Sequence, residues 1–151
     1  SIIYSEYYKE RLNNTEYSKL ANKFRCHGLI KEIQSNFSSA AWAYLHAAWN
    51  CDDESKDSQA IKCRNSASVL FAKAKEMDKD FLSDDCKYYV LQTDILRRSG
   101  SFENALYYYN IGLQLNSDDI INKLLVFEKE LINKEDMGGY TMDSILDLNS
   151  Y

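Results

Sequence analysis

A chain of 151 residues with a net charge of −5 and a pI near 5.0 has the length of one domain. Its charge balance disfavours a nucleic-acid or anionic-membrane surface. An apolar fraction of 45% with 27% charged residues is globular composition and excludes a disordered tail. Zero prolines and five glycines exclude the turn-rich pattern of an all-β protein and favour long helices with few breaks.

Helical spacing begins at once. Tyr4, Tyr7, Tyr8 and Leu12 recur on one stripe, and Asn13–Asn14 break it. Thr15 is the expected N-cap of a second helix, which carries Tyr17, Leu20, Ala21, Phe24 and Gly28 on one face and stops near Ser35–Asn36. The third helix starts at Phe37. Ala41, Trp42, Leu45, Ala48 and Trp49 form one face, with Ala40, Ala43, Tyr44 and Ala47 opposite, so it is expected to be buried all round. Residues 50–57 read as a polar, acidic linker. A fourth helix aligns Ala60, Cys63, Ala67, Leu70, Phe71, Ala74 and Met77.

Ser83 is the expected N-cap of a fifth helix burying Tyr88, Leu91 and Ile95, closed by Ser99–Gly100. A sixth places Phe102, Ala105, Leu106, Tyr109, Gly112 and Leu113 in register. Asp118 is the expected cap of a seventh, carrying Ile120, Ile121, Leu124, Leu125, Phe127, Leu131 and Ile132. A loop at 134–139 precedes a last apolar segment with Met142, Ile145, Leu146 and Leu148, which could dock back as a cap.

Short connections make consecutive helices antiparallel neighbours. Gly100, Phe102, Ala105, Tyr109 and Gly112 follow the spacing of the turn and second helix of a tetratricopeptide repeat, and residues 84–117 resemble one such unit. Gln92, Thr93 and Ser117 stand where that family has Leu, Gly and Pro. Upstream, two registers fit. In one, Trp42, Leu45 and Trp49 open a first helix and Ala67, Phe71 and Ala74 a second. In the other, Phe37, Ala40, Tyr44 and Ala47 form the second helix, after a first helix containing Gly28. The run 40–49 with Leu96–Gly100 is also similar to uncharacterised bacterial proteins that join a zinc ribbon to degenerate repeats. That likeness places any metal-binding cysteine pairs upstream of Ser1.

The resemblance implies an all-α fold, about seven helices in antiparallel pairs stacked as a right-handed superhelical array. It implies one domain over 1–151 that binds a protein or peptide. The chain opens at Ser1 without an initiator Met and is expected to be a piece of a longer bacterial protein. Contacts would come from Lys31, Tyr44, Gln92 and Arg97 on first helices, and from Tyr108. In the alternative readings, Trp42, His46 and Trp49 line a small-molecule sensing pocket, or the domain is a structural spacer.

Chemistry-bearing motifs are few. Cys26, Cys51, Cys63 and Cys86 contain no Cys-x-x-Cys pair, so no metal site and no cofactor is expected; reduced thiols fit a cytoplasmic setting. His46 is read as a core histidine. No phosphate loop, zinc-protease helix or nucleophile elbow is present, and the paired aspartates at helix starts are explained by capping. An enzyme is therefore not expected. The basic residues Lys62, Arg64, Lys73 and Lys75 are read as a solvated helix face.

Overall fold

The missing prolines leave seven helices uninterrupted: α1 Ile2–Leu12, α2 Lys19–Ile33, α3 Phe37–Asp53, α4 Asp57–Met77, α5 Asp85–Arg98, α6 Phe102–Gln114 and α7 Asp119–Asn133. The computed structural model describes residues 2–78, 81–82, 85–115 and 118–141, and no strand occurs among them. The protein is all-α. No described helix is long and apolar enough to cross a membrane. The chain divides into two compact units, Ser1–Lys79 and Asp80–Tyr151.

In the first unit α1 packs on α2, α2 on α3, and α3 on α4. Its interior combines Tyr44, Leu45, Leu70 and Phe71 with many small side chains. Tyr17, Ala21, Ala47, Ala48, Cys51, Ala60 and Cys63 form one buried cluster, with Phe24 against it. Alanine and cysteine let the three helix backbones approach closely, so little volume remains for larger groups. In the second unit α5, α6 and α7 pack on one another. Cys86, Tyr109, Ile121 and Leu125 form one cluster there, and Leu96, Ala105 and Ile132 another.

One turn recurs. After α2, α3, α5 and α7 a single residue takes a positive φ: Ser35 (57°), Ser55 (56°), Gly100 (78°) and Glu135 (53°). In each case its N–H donates to the carbonyl three residues back, and the next N–H donates to the carbonyl five residues back. Ser35 and Asn36 donate to Glu32 and Lys31. Ser55 and Lys56 donate to Asp52 and Cys51. Gly100 and Ser101 donate to Arg97 and Leu96, and Glu135 and Asp136 to Ile132 and Leu131. These are Schellman caps, which satisfy the orphan carbonyls of a helix end. Three of the four lead straight into another helix. There the fourth residue past the turn is alanine each time (Ala40, Ala60, Ala105), with at most 1% exposed.

Two boundaries differ from the sequence expectation. The N-cap of α2 is Ser18, whose Oγ accepts from Ala21 N at 3.0 Å, and not Thr15; Ser18 also donates to Asn50 Oδ1. The stretch 50–57 is mostly helix, because α3 runs to Asp53 and the Ser55 turn needs only three residues. Asp118 caps α7 as expected, accepting from Ile121 N at 2.9 Å. Ser83, Ser117 and the apolar segment at 142–148 lie outside the described residues.

The third helix is not buried all round. Ala40, Ala41, Ala43, Tyr44, Leu45, Ala47, Ala48 and Cys51 are buried, but Trp42 is half-buried, Trp49 is 40% exposed and His46 is exposed. The interior takes the alanines, Leu45 and Tyr44, and leaves His46 and Trp49 at the margin. The consecutive tyrosines divide similarly: Tyr109 is buried, Tyr108 half-buried and Tyr107 exposed.

Candidate functional site

The first unit contains a groove of about 400 Å3 lined by Arg11, Glu32, Tyr44, Asn65, Ser66, Val69, Leu70 and Lys73. Residues from α1, α2, α3 and α4 therefore meet in it. Its construction starts at Asn22. This buried amide donates to Leu12 O (3.2 Å) and Asn14 O (2.7 Å), capping the end of α1 from the side of α2. That contact fixes the last turn of α1, and with it Arg11.

Tyr44 forms the floor. A Cβ on Gly28 would lie 2.7 Å from its ring, so only glycine leaves room for the ring on α2. The phenol then sits between two charges. Arg11 Nη1 donates to Tyr44 Oη at 2.6 Å and to the carbonyl of Arg25 at 3.1 Å. Tyr44 donates to Glu32 Oε2 at 2.8 Å. Burial pushes the Tyr44 pKa up to about 12, and the hydrogen bond to Glu32 adds to the rise while Arg11 opposes it. The hydroxyl therefore stays protonated as a donor to Glu32 and an acceptor from Arg11.

The opposite wall is one face of α4. Asn65, Val69 and Lys73 are exposed there and Ser66 is half-exposed. The Lys73 ammonium lies 5.6 Å from the Phe37 ring centroid, a cation–π contact that steadies a flexible stem. A larger depression of about 660 Å3 is lined on its described side by α1 alone, through Glu6, Tyr7, Lys9, Glu10 and Asn13. It has no second described wall.

The residues expected at a binding surface separate. Tyr44 (5% exposed), Gln92 (0%) and Arg97 (1%) are interior side chains, which corrects the expectation that they project from the first helices. Tyr44 lines the groove with its hydroxyl already bound by Arg11 and Glu32. Gln92 Nε2 donates to Tyr88 Oη at 3.3 Å. Arg97 is the hub of the second unit's interior: Nε donates to Glu128 Oε2 at 2.6 Å, Nη2 to Asp94 Oδ1 at 3.0 Å, and Nη1 to the carbonyls of Asp136 and Gly138 at 2.7 and 2.8 Å. Burial alone would lower the Arg97 pKa, but the contacts with Glu128 and Asp94 outweigh it and hold the cation charged. Lys31 is half-exposed at the end of α2. Tyr108 is half-buried among Tyr88, Tyr89 and Tyr107, with centroids 6.1, 5.9 and 5.4 Å away. Burial raises its pKa.

Trp42, His46 and Trp49 share one face of α3 but form a shelf. His46 stacks on Phe24 at 5.4 Å and 21°, and Trp49 meets its edge at 4.9 Å. Trp42 packs edge-on against Phe71 at 5.0 Å. His46 is a surface residue held between two rings, not a core histidine. The four cysteines are buried thiols. Cys51 and Cys63 touch, and burial pushes Cys63 up to about 12, so it remains a thiol. Among the described residues no three of His, Cys, Asp and Glu converge in a metal-binding arrangement.

Sequence reading missed Arg11, Glu32, Asn65 and Ser66 as neighbours of Tyr44. Arg11 and Tyr44 are 33 positions apart, and no local pattern links them. It also missed Glu128, for which a signal existed: an acid on the stripe of Ile121, Leu125 and Ile132. Comparisons with family models, with curated proteins and with solved structures find no match for this chain.

Proposed function

We propose that this chain is a binding scaffold that holds a peptide segment of a partner protein in the groove around Tyr44. The observation that carries the reading is the groove itself. It is open, it draws walls from four helices, and it combines an apolar strip (Val69, Leu70) with amide, hydroxyl and charged groups. An open groove with donors, acceptors and apolar contacts along one helix suits an extended chain better than an enclosed small molecule. The aromatic shelf supports the same preference, since His46 and Trp49 are exposed and Trp42 packs on Phe71, and the three enclose no cavity.

The tetratricopeptide-like array belongs to this proposal. Its support is the recurring Schellman turn with alanine at a fixed offset. The pairing of Gly28 with Tyr44 favours the register in which α2 and α3 form one pair. Gly112 lies similarly close to Tyr89 across α5 and α6, where an added Cβ would come within 3.0 Å.

A random peptide library displayed on phage, selected on the wild-type chain, tests the proposal. Peptides enriched on wild type are expected to be lost on Val69→Trp, which fills the groove from an exposed position. A library that yields no peptide sensitive to Val69→Trp overturns the reading.

A further inference from the structure

Charge is not spread evenly over this acidic chain. Between Asp57 and Glu76, α4 carries Lys62, Arg64, Lys73 and Lys75 and no acidic residue. Arg64 is turned inward and bound by both oxygens of Asp52. Lys62 and Lys73 remain exposed. They share the stripe of Ser66 and Val69, because positions 62, 66, 69 and 73 follow helical spacing; Ser66, Val69 and Lys73 line the groove, and Lys62 continues the stripe one turn beyond it. Arg11 faces the same space. Its guanidinium is fixed by Tyr44 and the Arg25 carbonyl, so its position is set before any ligand arrives. Glu32 is the one acid among the described lining residues, and its carboxylate already accepts from Tyr44.

Resting on the scaffold reading above, we propose that the segment held in this groove is acidic, with one carboxylate between Arg11 and Lys73 and a second near Lys62. The two lysines are eleven helical steps apart, about 16 Å. An extended chain covers that distance in about five residues. The intervening residues meet the Asn65 amide, the Ser66 hydroxyl and the Val69 side chain. Asn65 can both donate and accept, which matches a peptide group. The chain as a whole is net negative, so an acidic ligand is drawn by a local basic stripe and not by the net charge. A carboxylate also fits the fork of an arginine better than a neutral group does.

The test uses the full chain and a fluorescein-labelled hexaglutamate peptide, blocked at both ends, in anisotropy titrations at low salt. The wild type is expected to bind it. Lys62→Gln with Lys73→Gln, two exposed changes, is expected to weaken binding roughly tenfold, and added salt to weaken it further. No binding of hexaglutamate, or equal binding by the double variant, overturns the proposal. So does stronger competition by a single-stranded oligonucleotide of equal charge, which would make the stripe a phosphate surface. Displacement by free glutamate at a similar concentration of carboxylate overturns it too, since a small anion would then suffice. Should phage peptides sensitive to Val69→Trp exist while hexaglutamate fails, the scaffold stands and only the acidic preference falls.

Discussion

The two units solve helix packing differently. In the first, α2, α3 and α4 meet through alanine and cysteine, Arg11 and Glu32 stand at the groove, and Arg64 turns inward to pair with the partly exposed Asp52. In the second, larger apolar residues separate the helices and leave room for an ionic cluster inside. Arg97 and Glu128 are 1% and 8% exposed, with Asp94 at 40% beside them. The first unit therefore gathers charge at its groove, and the second holds a larger ionic cluster inside. Arg97 uses them to tie the loop at 136–138 onto α5.

The largest test of that contrast is Arg97→Met. It leaves the buried Glu128 carboxyl and two carbonyls without their donor, and removing one partner of a buried pair is expected to cost about 3–5 kcal/mol. Glu128→Gln should cost less, because an amide needs no charge partner. The carboxyl of Glu128 is pushed up to about 8 by burial, with Asp94 adding to the rise and Arg97 opposing it. In the unfolded chain it titrates in the ordinary carboxylate range. Between those values the folded state holds more protons than the unfolded one, so stability falls as pH rises toward 8 and then levels. Urea midpoints followed by far-UV circular dichroism at about pH 5 and about pH 9 should show that fall in the wild type. A Glu128→Gln profile as steep as the wild type's would mean that this residue is not its source.

In the first unit the corresponding test is Gly28→Ala. Helix propensity favours it by about 1 kcal/mol. The added methyl, however, meets a Tyr44 ring pinned by Arg11 and Glu32. Overpacking of that kind costs about 1–3 kcal/mol, so a net loss on the order of 1 kcal/mol is expected. Both tryptophans, Trp42 and Trp49, lie in this unit, so urea unfolding read by tryptophan fluorescence reports it. A stabilised Gly28→Ala would show that Tyr44 moves freely and that the groove floor is soft.

The helices were legible in the sequence because apolar spacing is a local property. All seven appear near their expected places, and Asp118 and Gly100 play their expected parts. Boundaries failed where two polar residues compete. Thr15 and Ser18 are both good caps, and the choice of Ser18 goes with its second partner, Asn50, 32 positions away. The all-round burial expected of α3 failed because composition does not say which side the neighbours occupy; Trp49 and His46 face out. The candidate site was least legible. Tyr44 was recognised, but the charges that define its surroundings come from helices whose spacing gave no reason to pair them.

The recurring turn was hidden for a related reason: only Gly100 announces it, while Ser35, Ser55 and Glu135 adopt the same left-handed geometry without glycine's freedom. A residue with a Cβ pays roughly 1 kcal/mol there, of which glycine is relieved. Ser55→Gly in the first unit and Glu135→Gly in the second should therefore each stabilise by up to about 1 kcal/mol. Gly100→Ala should destabilise by about 1–2 kcal/mol. Urea unfolding of the three variants checks the signs. Should Ser55→Gly destabilise, the serine side chain contributes something at the α3–α4 turn beyond its backbone, and the turns of the two units are equivalent in geometry alone. If all three signs hold, one backbone rule closes helices in both units, and the difference between them lies wholly in what their interiors bury.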